Sequence, residues 1–530
     1  MASTLPVESA AQAAQRDVVA RLRDALQARQ PCAAVQWIET HLSHVLVTQD
    51  YAFKFRKAVA LDFVDFTSIA SRLHDCQEEL RLNRRFSPEL YLDVLPVTGT
   101  VAEPRIGGAG PAIEHVLRMR AFDQAGRWDR LAARGELRPG HVDALVTRMA
   151  DMHDAAGVAD PRGGWGTAQL VRQPLRDDLD SLWAWMTAPA DRSRLAQLRQ
   201  WEEQAYVDLA PVFEARLRAG RVRECHGDLH LGNVAEVHGR TTVFDCIEFS
   251  EAFRWIDVMS ELAFMAMDLH CRGLHELAQR LVCGYLERTD DYDGARVLRY
   301  YMVHRALVRA KVAWLRATQQ SSAAPRTAAR RQLAFALRCI HRRCPVLMIT
   351  HGYSGAGKTT LTQGLVDEAG AVRIRADVLR KRLAGVAPLA RGHDALLYSE
   401  VSTRATYAGL FDRADAVLRG GCSVVLDATF LQRSQRDAAR RFAAERGVRC
   451  VILDFDADLA TLQDRIVRRA ARGDDASDAD LAVLAQQVRT SQPLTSDERV
   501  DVFSCRGTPV QADWSELLQS IGVRGVMPQA

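Results

Sequence analysis

Short apolar runs alternate along the chain with longer amphipathic stretches, and the change of period marks its divisions. Between Val45 and Val59 apolar and polar positions alternate about Thr48-Gln49-Asp50, which predicts a β-hairpin with Lys54 on the returning strand. From Thr67 to Arg85 the period lengthens. Ile69, Leu73, Cys76 and Leu80 recur at helical spacing, Thr67 or Ser68 offers an N-cap, and Ser87-Pro88 supplies the stop. Glu78 and Glu79 ride on this helix. Residues 142–302 read as mostly helical, broken by the Gly-rich Arg162-Gly163-Gly164-Trp165-Gly166 and by short strands around His226 and Asp245. The helical run Val297 to Trp314 gives way to Gln319-Gln320-Ser321-Ser322-Ala323-Ala324-Pro325, the predicted linker, and a short bridging helix is predicted from Thr327 to His341. Beyond Pro345, strand-like runs at Val346–Thr350, Val372–Ala376, Ser423–Leu426 and Arg449–Phe455 alternate with helical segments. That order belongs to a parallel sheet wrapped by helices.

A chain of 530 residues exceeds one compact core and suits two large domains. The expected fold class is α/β and α+β: a helical extension over residues 1–30, a first domain over 31–318, a linker and bridging helix over 319–344, and a second domain over 345–530. The 70 Lys and Arg against 66 Asp and Glu leave a formal charge of +4, too small over this length to argue for nucleic acid as the partner. Charge is nonetheless uneven, because the stretch Arg296 to Arg343 is rich in Arg and poor in acids and would attract phosphates or acidic lipids. The Cys residues include no Cys-x-x-Cys pair, which reads as reduced thiols without a disulfide framework or structural zinc. With no apolar segment of signal or membrane-spanning type, the expectation is a cytoplasmic protein that does not enter a membrane. Oligomeric state is not legible.

Gly352-Tyr353-Ser354-Gly355-Ala356-Gly357-Lys358-Thr359 satisfies G-x-x-x-x-G-K-[ST] and follows the apolar strand Val346–Ile349 directly, with a helix-compatible stretch from Thr360 onwards. In that setting backbone N–H groups from Gly352, Ser354, Gly355, Ala356 and Gly357 wrap phosphates, the next helix adds its positive end, Lys358 reaches the β and γ phosphates, and Thr359 holds Mg2+. Asp377 ends the second strand-like run at the carboxyl edge, where open parallel sheets bind ligands, and is placed to accept a hydroxyl proton. Asp427 ends the next strand and can order metal-bound water, with Thr429 and Arg433 beyond it as candidate substrate contacts. Arg465, Arg468, Arg469 and Arg472 cluster before Gly473-Asp474-Asp475-Ala476-Ser477-Asp478. They suit either a lid that neutralises a transferred phosphoryl group or a solvated helix face.

From about Pro345 to Arg499 these motifs resemble the P-loop kinases of the gluconate kinase, polynucleotide 5'-kinase and zeta-toxin type. The resemblance implies that Asp377 and Arg380 contact the acceptor and that Arg465 and Arg469, within the Arg465–Arg472 cluster, belong to a lid.

The middle of the chain carries His226-Gly227-Asp228-Leu229-His230-Leu231-Gly232-Asn233, the H-x-D-x-x-x-x-N spacing of a kinase catalytic loop, and Val243-Phe244-Asp245 follows at the end of the next strand. Phosphoryl transfer needs a carboxylate beside the acceptor hydroxyl and an Asn plus a second Asp for metal; Asp228, Asn233 and Asp245 fit those roles. A competing reading takes His226, Asp228 and His230 as transition-metal ligands. Glu248 is a candidate metal or acceptor contact or a structural residue, and Arg254 and Asp257 read as a buried pair organising the following helix.

The motif looks like that of the aminoglycoside phosphotransferase and choline kinase branch of the protein-kinase-like fold, over residues 30–318. The resemblance implies that Lys54 binds the α and β phosphates and that Glu79 orients it, with Lys57 and Glu78 as close competitors. No G-x-G-x-x-G loop precedes Lys54; the Thr48–Asp50 hairpin stands in its place.

The order of the two modules is similar to bacterial fusions of an aminoglycoside phosphotransferase-like domain with a P-loop domain. The expectation is an ATP- and Mg2+-dependent phosphotransferase with two nucleotide sites, acting on a hydroxyl of a small metabolite. Its rivals are an ATP-sensing regulator with one non-catalytic module and a polynucleotide 5'-hydroxyl kinase.

Overall fold

The computed structural model describes residues 10–520, apart from 31–32, 41, 62–63, 321–322, 342–343, 388–389, 391–396, 398, 473–475 and 506–513. Parts of three expectations fall outside these residues: the start of the N-terminal extension, Ser321-Ser322 of the linker, and Gly473–Asp475 of the lid loop. The described chain forms two compact units, one of residues 1–137, 151–166 and 217–261, the other of 138–150, 167–216 and 262–530.

The first unit is built on a six-stranded antiparallel sheet. Its strands are β1 (Gln36–Glu39), β2 (Ser43–Val47), β3 (Tyr51–Arg56), β4 (Tyr91–Gly99), β5 (Pro104–Ile106) and β6 (Glu114–Arg120), in the order β1-β2-β3-β6-β4-β5. The expected hairpin is β2–β3, closed by Thr48 N–H donating to Tyr51 O at 2.8 Å. Leu46, Phe53, Phe55 and Val116 line one core with Val18, Val19 and Leu22 of helix α1 (Ala10–Arg29). The expected second helix is α2 (Ile69–Arg84), whose Ser68 side chain accepts from Ser71 N–H as N-cap. Short strands β7 (Val222–Glu224), β8 (Val234–Val237), β9 (Arg240–Val243) and β10 (Trp255–Asp257) pair β8 with β9 and β7 with β10, and they frame the His226–Asn233 loop.

The second unit joins α3 (Ala168–Trp185), α4 (Pro189–Arg218), α5 (His275–Thr289), α6 (Ala295–Gln320) and α7 (Ala323–Ile340) to a parallel sheet. That sheet contains β11 (Val346–His351), β12 (Val372–Arg375), β13 (Val424–Asp427), β14 (Arg449–Phe455) and β15 (Val502–Cys505), in the order β12-β13-β11-β14-β15, every pair parallel. Residues 346–350 of β11 are all buried, as expected for a strand covered by helices on both faces. Those coverings include α8 (Lys358–Ala369), α9 (Ala376–Leu383), α10 (Glu400–Arg419), α11 (Arg433–Glu445), α12 (Leu459–Arg472) and α13 (Leu481–Thr490).

The described residues on either side of 319–344 belong to this same unit. Helix α6 runs past Trp314 to Gln320, and α7 begins at Ala323 with Pro325 in its first turn, where its missing N–H costs nothing. Gln279 of α5 donates to Ala371 O at 2.7 Å, and Asp290 accepts from Arg413 Nε of α10 at 2.7 Å, which ties the helices preceding residue 318 to the sheet module.

Candidate nucleotide and phosphoryl-transfer sites

In the first unit, the alternation of β3 puts Lys54 and Arg56 on one face, opposite α2. Lys54 Nζ lies 2.7 Å from Glu79 Oε1 and 2.9 Å from Asp245 Oδ1. Lys57 instead pairs with Glu39, and Glu78 with Arg81 on its own helix, so of the four it is Lys54 and Glu79 that meet each other. Burial alone would lower the Lys54 ammonium; the charges of Asp245 and Glu79 outweigh it and hold the group above its ordinary value. Burial likewise opposes charge on Asp245, but Lys54 holds that carboxyl down at about 2. Asp245 sits at φ +65°, with its N–H donating to the Tyr91 hydroxyl at 2.9 Å.

Asn233 Nδ2 donates to Asp228 Oδ2 at 3.1 Å and to Asp228 O at 3.0 Å, which folds the loop so that the two residues adjoin. Asp228, Asn233 and Asp245 offer hard oxygen donors of the kind Mg2+ takes. His226 Nε2 lies 2.9 Å from Phe244 O, so this nitrogen is engaged with the backbone. His230 Nδ1 accepts from Gly232 N–H at 2.9 Å, which shapes the loop.

Two residues here escaped the sequence reading. Arg56, fully buried, pairs with Asp75 and Glu248 and, at 2.6 Å, with Glu79 Oε2, so it holds the far side of the glutamate that engages Lys54. Its position two residues after Lys54 on a strand was the available signal. Glu248 is buried with Arg56, which places it in this support rather than on the open side of the site. Glu261 accepts from Gly227 N–H at 2.8 Å and lies 3.0 Å from His153 Nε2. Burial raises its carboxyl, the His153 bond outweighs that, and the net value lies below the ordinary range. No local pattern marks Glu261, because its partner lies 34 residues away. Arg254 donates to Glu248 O at 2.7 Å, and Asp257 caps the next helix by accepting from Met259 N–H at 2.9 Å; both are buried.

In the second unit the Gly352–Thr359 loop joins β11 to α8. Gly352 needs its missing Cβ, since one there would stand 2.6 Å from Phe455 O; Gly355, at φ +86°, would meet Leu462 O at 2.8 Å. Lys358 Nζ donates to Gly352 O at 3.0 Å and Tyr353 O at 2.8 Å, the groups nearest to it without a phosphate. Thr359 Oγ1 donates to Asp427 Oδ2 at 2.7 Å, which makes a pair of oxygen ligands suited to Mg2+.

These residues open on a cavity of about 1120 Å3 that Thr360, Asp377, Arg380, Thr429, Arg465 and Arg469 also line. Ala356 is buried in the core beneath. Asp377 Oδ1 lies 2.7 Å from Arg380 NH1; burial opposes its charge, yet Arg380 keeps the carboxyl below its usual range. Leu462 and Ile466 anchor α12, whose arginines occupy other faces of the turn. Arg465 NH1 donates to Gly355 O at 3.3 Å and Arg469 NH2 to Ala479 O at 2.8 Å.

The structure does not bring Arg433 to the cavity. Its guanidinium is drawn to Asp437 at 3.0 Å, one turn on along its own helix, and to Asp497 at 2.7 Å. Sequence reading also missed Gln487 of α13, which accepts from Ser354 N–H at 2.9 Å and donates to Ser354 Oγ at 3.0 Å. It missed Tyr407 of α10 as well, whose hydroxyl accepts from Phe430 N–H at 3.2 Å.

Comparison with known proteins agrees with the P-loop module: an AAA domain family model (AAA_33) matches residues 347–494. Among solved structures, a choline/ethanolamine kinase family protein from Mesorhizobium loti is 13% identical, covering 61% of this chain and 99% of its own with a TM-score of 0.37. A sugar kinase from Janibacter sp. HTCC2649 is 22% identical, covering 34% of this chain and 95% of its own with a TM-score of 0.26. Among described residues no helix is long and apolar enough to cross a membrane. Over 450 residues, 84% of this chain and 89% of theirs, the chain is 30% identical to "Uncharacterized protein Rv2004c" of Mycobacterium tuberculosis and "Uncharacterized protein Mb2027c" of Mycobacterium bovis. The chain therefore belongs to the family of these mycobacterial proteins, and its residues 347–494, which carry the Gly352–Thr359 loop, form the module that the AAA domain model matches.

Proposed function

We propose that the protein is an ATP- and Mg2+-dependent phosphotransferase with two nucleotide sites, each moving a γ phosphate to a hydroxyl of a small metabolite. The observation that carries this reading is the shared cavity of the P-loop module: Lys358, Thr359 and Asp427 stand on its nucleotide side, and Asp377 with Arg380 line the same space. A kinase needs a carboxylate to orient an acceptor hydroxyl and a guanidinium to seat the acceptor, and Asp377 and Arg380 offer both in this cavity. When bound, Mg2+ supplies charge neutralisation of the phosphates. The chain's own groups position the reactants: Lys358 meets the phosphates, Asp377 orients the acceptor hydroxyl, and Arg465 and Arg469 neutralise the transferred group. In the kinase-like module, Lys54 held by Glu79 takes the α and β phosphates, Asp228 orients the hydroxyl, and Asn233 and Asp245 hold metal.

The test is transfer of labelled γ phosphate from Mg-ATP into a fractionated metabolite extract with wild type, Asp228→Ala and Asp377→Ala. Each variant is expected to lose one product and keep the other. Nucleotide binding by wild type without any labelled metabolite would overturn the proposal in favour of an ATP-sensing role.

A further inference from the structure

A second cavity of about 740 Å3 opens in the second unit at the amino ends of the parallel strands, where Val346 of β11 and Arg449 of β14 pair in register. The phosphate loop leaves the carboxyl end of β11, so this cavity lies at the opposite end of the sheet from the nucleotide site. Its charged lining is four arginines, Arg299, Arg419, Arg446 and Arg449, against one carboxylate, Asp415. Asp415 fixes two of them through Nε, Arg419 at 2.7 Å and Arg446 at 2.6 Å. Arg446 lies over the Phe442 ring at 3.7 Å, and Arg449 NH1 donates to Ser520 O at 2.8 Å, so these guanidiniums are held rather than free to swing. Arg299 comes from α6, inside the Arg-rich stretch that the nucleotide sites do not use. It is half-buried and has no carboxylate within ion-pair distance among the described residues. Arg299 lies against the turn at Gly420-Gly421, where Gly421 takes φ +77° and the position of a Cβ would be 3.4 Å from the guanidinium.

We propose that this cavity is a binding site for a small compact polyanion carrying two or more linked phosphates, separate from both nucleotide sites. The volume is that of a small-molecule pocket. Among the described lining residues four guanidiniums stand against one carboxylate, and with Glu445 also meeting Arg446 at 3.3 Å the positive charge is still in excess; planar guanidinium forks match phosphate oxygens in pairs. Among the described residues the lining holds no aromatic side chain to stack a base, so the phosphate chain itself is what the site reads.

The test uses the full chain with Lys54→Ala and Lys358→Ala, which weakens phosphate binding at both nucleotide sites, titrated calorimetrically with pyrophosphate and with orthophosphate. Pyrophosphate is expected to bind at low salt at least tenfold more tightly than orthophosphate. Adding Arg299→Ala and Arg449→Ala is expected to weaken it at least tenfold, with an unchanged melting temperature in the absence of ligand. Should that variant fail to fold, the exposed Arg419→Glu on the same background gives an independent reading, with the same tenfold loss expected. No pyrophosphate binding in the lysine background, or binding that survives the arginine changes, overturns the proposal. So does binding of a single-stranded oligonucleotide where pyrophosphate fails, which would return the arginines to a nucleic-acid track.

Discussion

Glu498→Gln tests whether a fully buried ion pair holds the nucleotide-side loop in place. Arg436 and Glu498 have no exposed side-chain surface, and Arg436 Nε meets Glu498 Oε1 at 2.7 Å. The same guanidinium donates to Phe430 O and Gln492 O, both at 3.1 Å, and to Pro493 O at 3.2 Å. It thereby staples the segment after Asp427 to the exit of α13, whose Gln487 grips Ser354 of the phosphate loop. Removing one charge of a buried pair strands the other without solvent, at about 3–5 kcal/mol, whereas an exposed pair contributes about 0–1 kcal/mol. The glutamine still offers one acceptor, so the lower end, about 3 kcal/mol, is expected. Burial pushes the Glu498 carboxyl up, but Arg436 outweighs it and holds the group at about 2 instead of 4.5. A folded value below the unfolded one means stability that is full above pH 4.5 and lost as pH falls towards 2. The assay is urea unfolding of wild type and variant at pH 7 and at steps down to pH 3, with Mg-ATP affinity measured alongside. A difference below about 1 kcal/mol at pH 7, or one that does not shrink towards acid, refutes the reasoning.

Asp427→Asn keeps the shape of the partner to Thr359 but removes its charge, and ATP affinity of the P-loop module is expected to lose most of its Mg2+ dependence while metal-free nucleotide binds as before; titrating ATP with and without Mg2+ checks this. Glu79→Gln is expected to slow transfer by the kinase-like module by about 10²-fold or more, as for a lost preorganised charge, without changing the product labelled through Asp377; single-product assays separate the two. Burial pushes the His304 imidazole down to about 3, and Arg305 and Lys311 add to that. Its contribution to stability is therefore present above pH 6.5 and lost as pH falls, by up to about 1.4 kcal/mol per pH unit. His304→Gln should flatten the urea midpoint between pH 6.5 and 5, and an identical slope in the two proteins would count against it.

The sequence by itself determined the local chemistry. A phosphate loop requires glycines, a lysine and a hydroxyl at set spacing within one strand-turn-helix, so Gly352 to Thr359 could be recognised without a structure. The same holds for Asp228 and Asn233, five residues apart on one loop, for the alternation that made β2–β3 a hairpin, and for the unbroken apolar run that made β11 a buried parallel strand. Tertiary structure alone decided which long-range partner each charge takes. Lys54 faces Glu79 and not Glu78 because only one side of α2 meets the sheet, and Arg56 reaches Glu248 across 192 residues. Arg433 turns to Asp497, away from the cavity that Asp377 lines, because that carboxylate is brought to it by a segment 64 residues on. Periodicity reports which side of an element is apolar, and a motif reports its own loop. Neither carries information about which distant element arrives at that face, since that depends on burying every apolar surface of the unit at once.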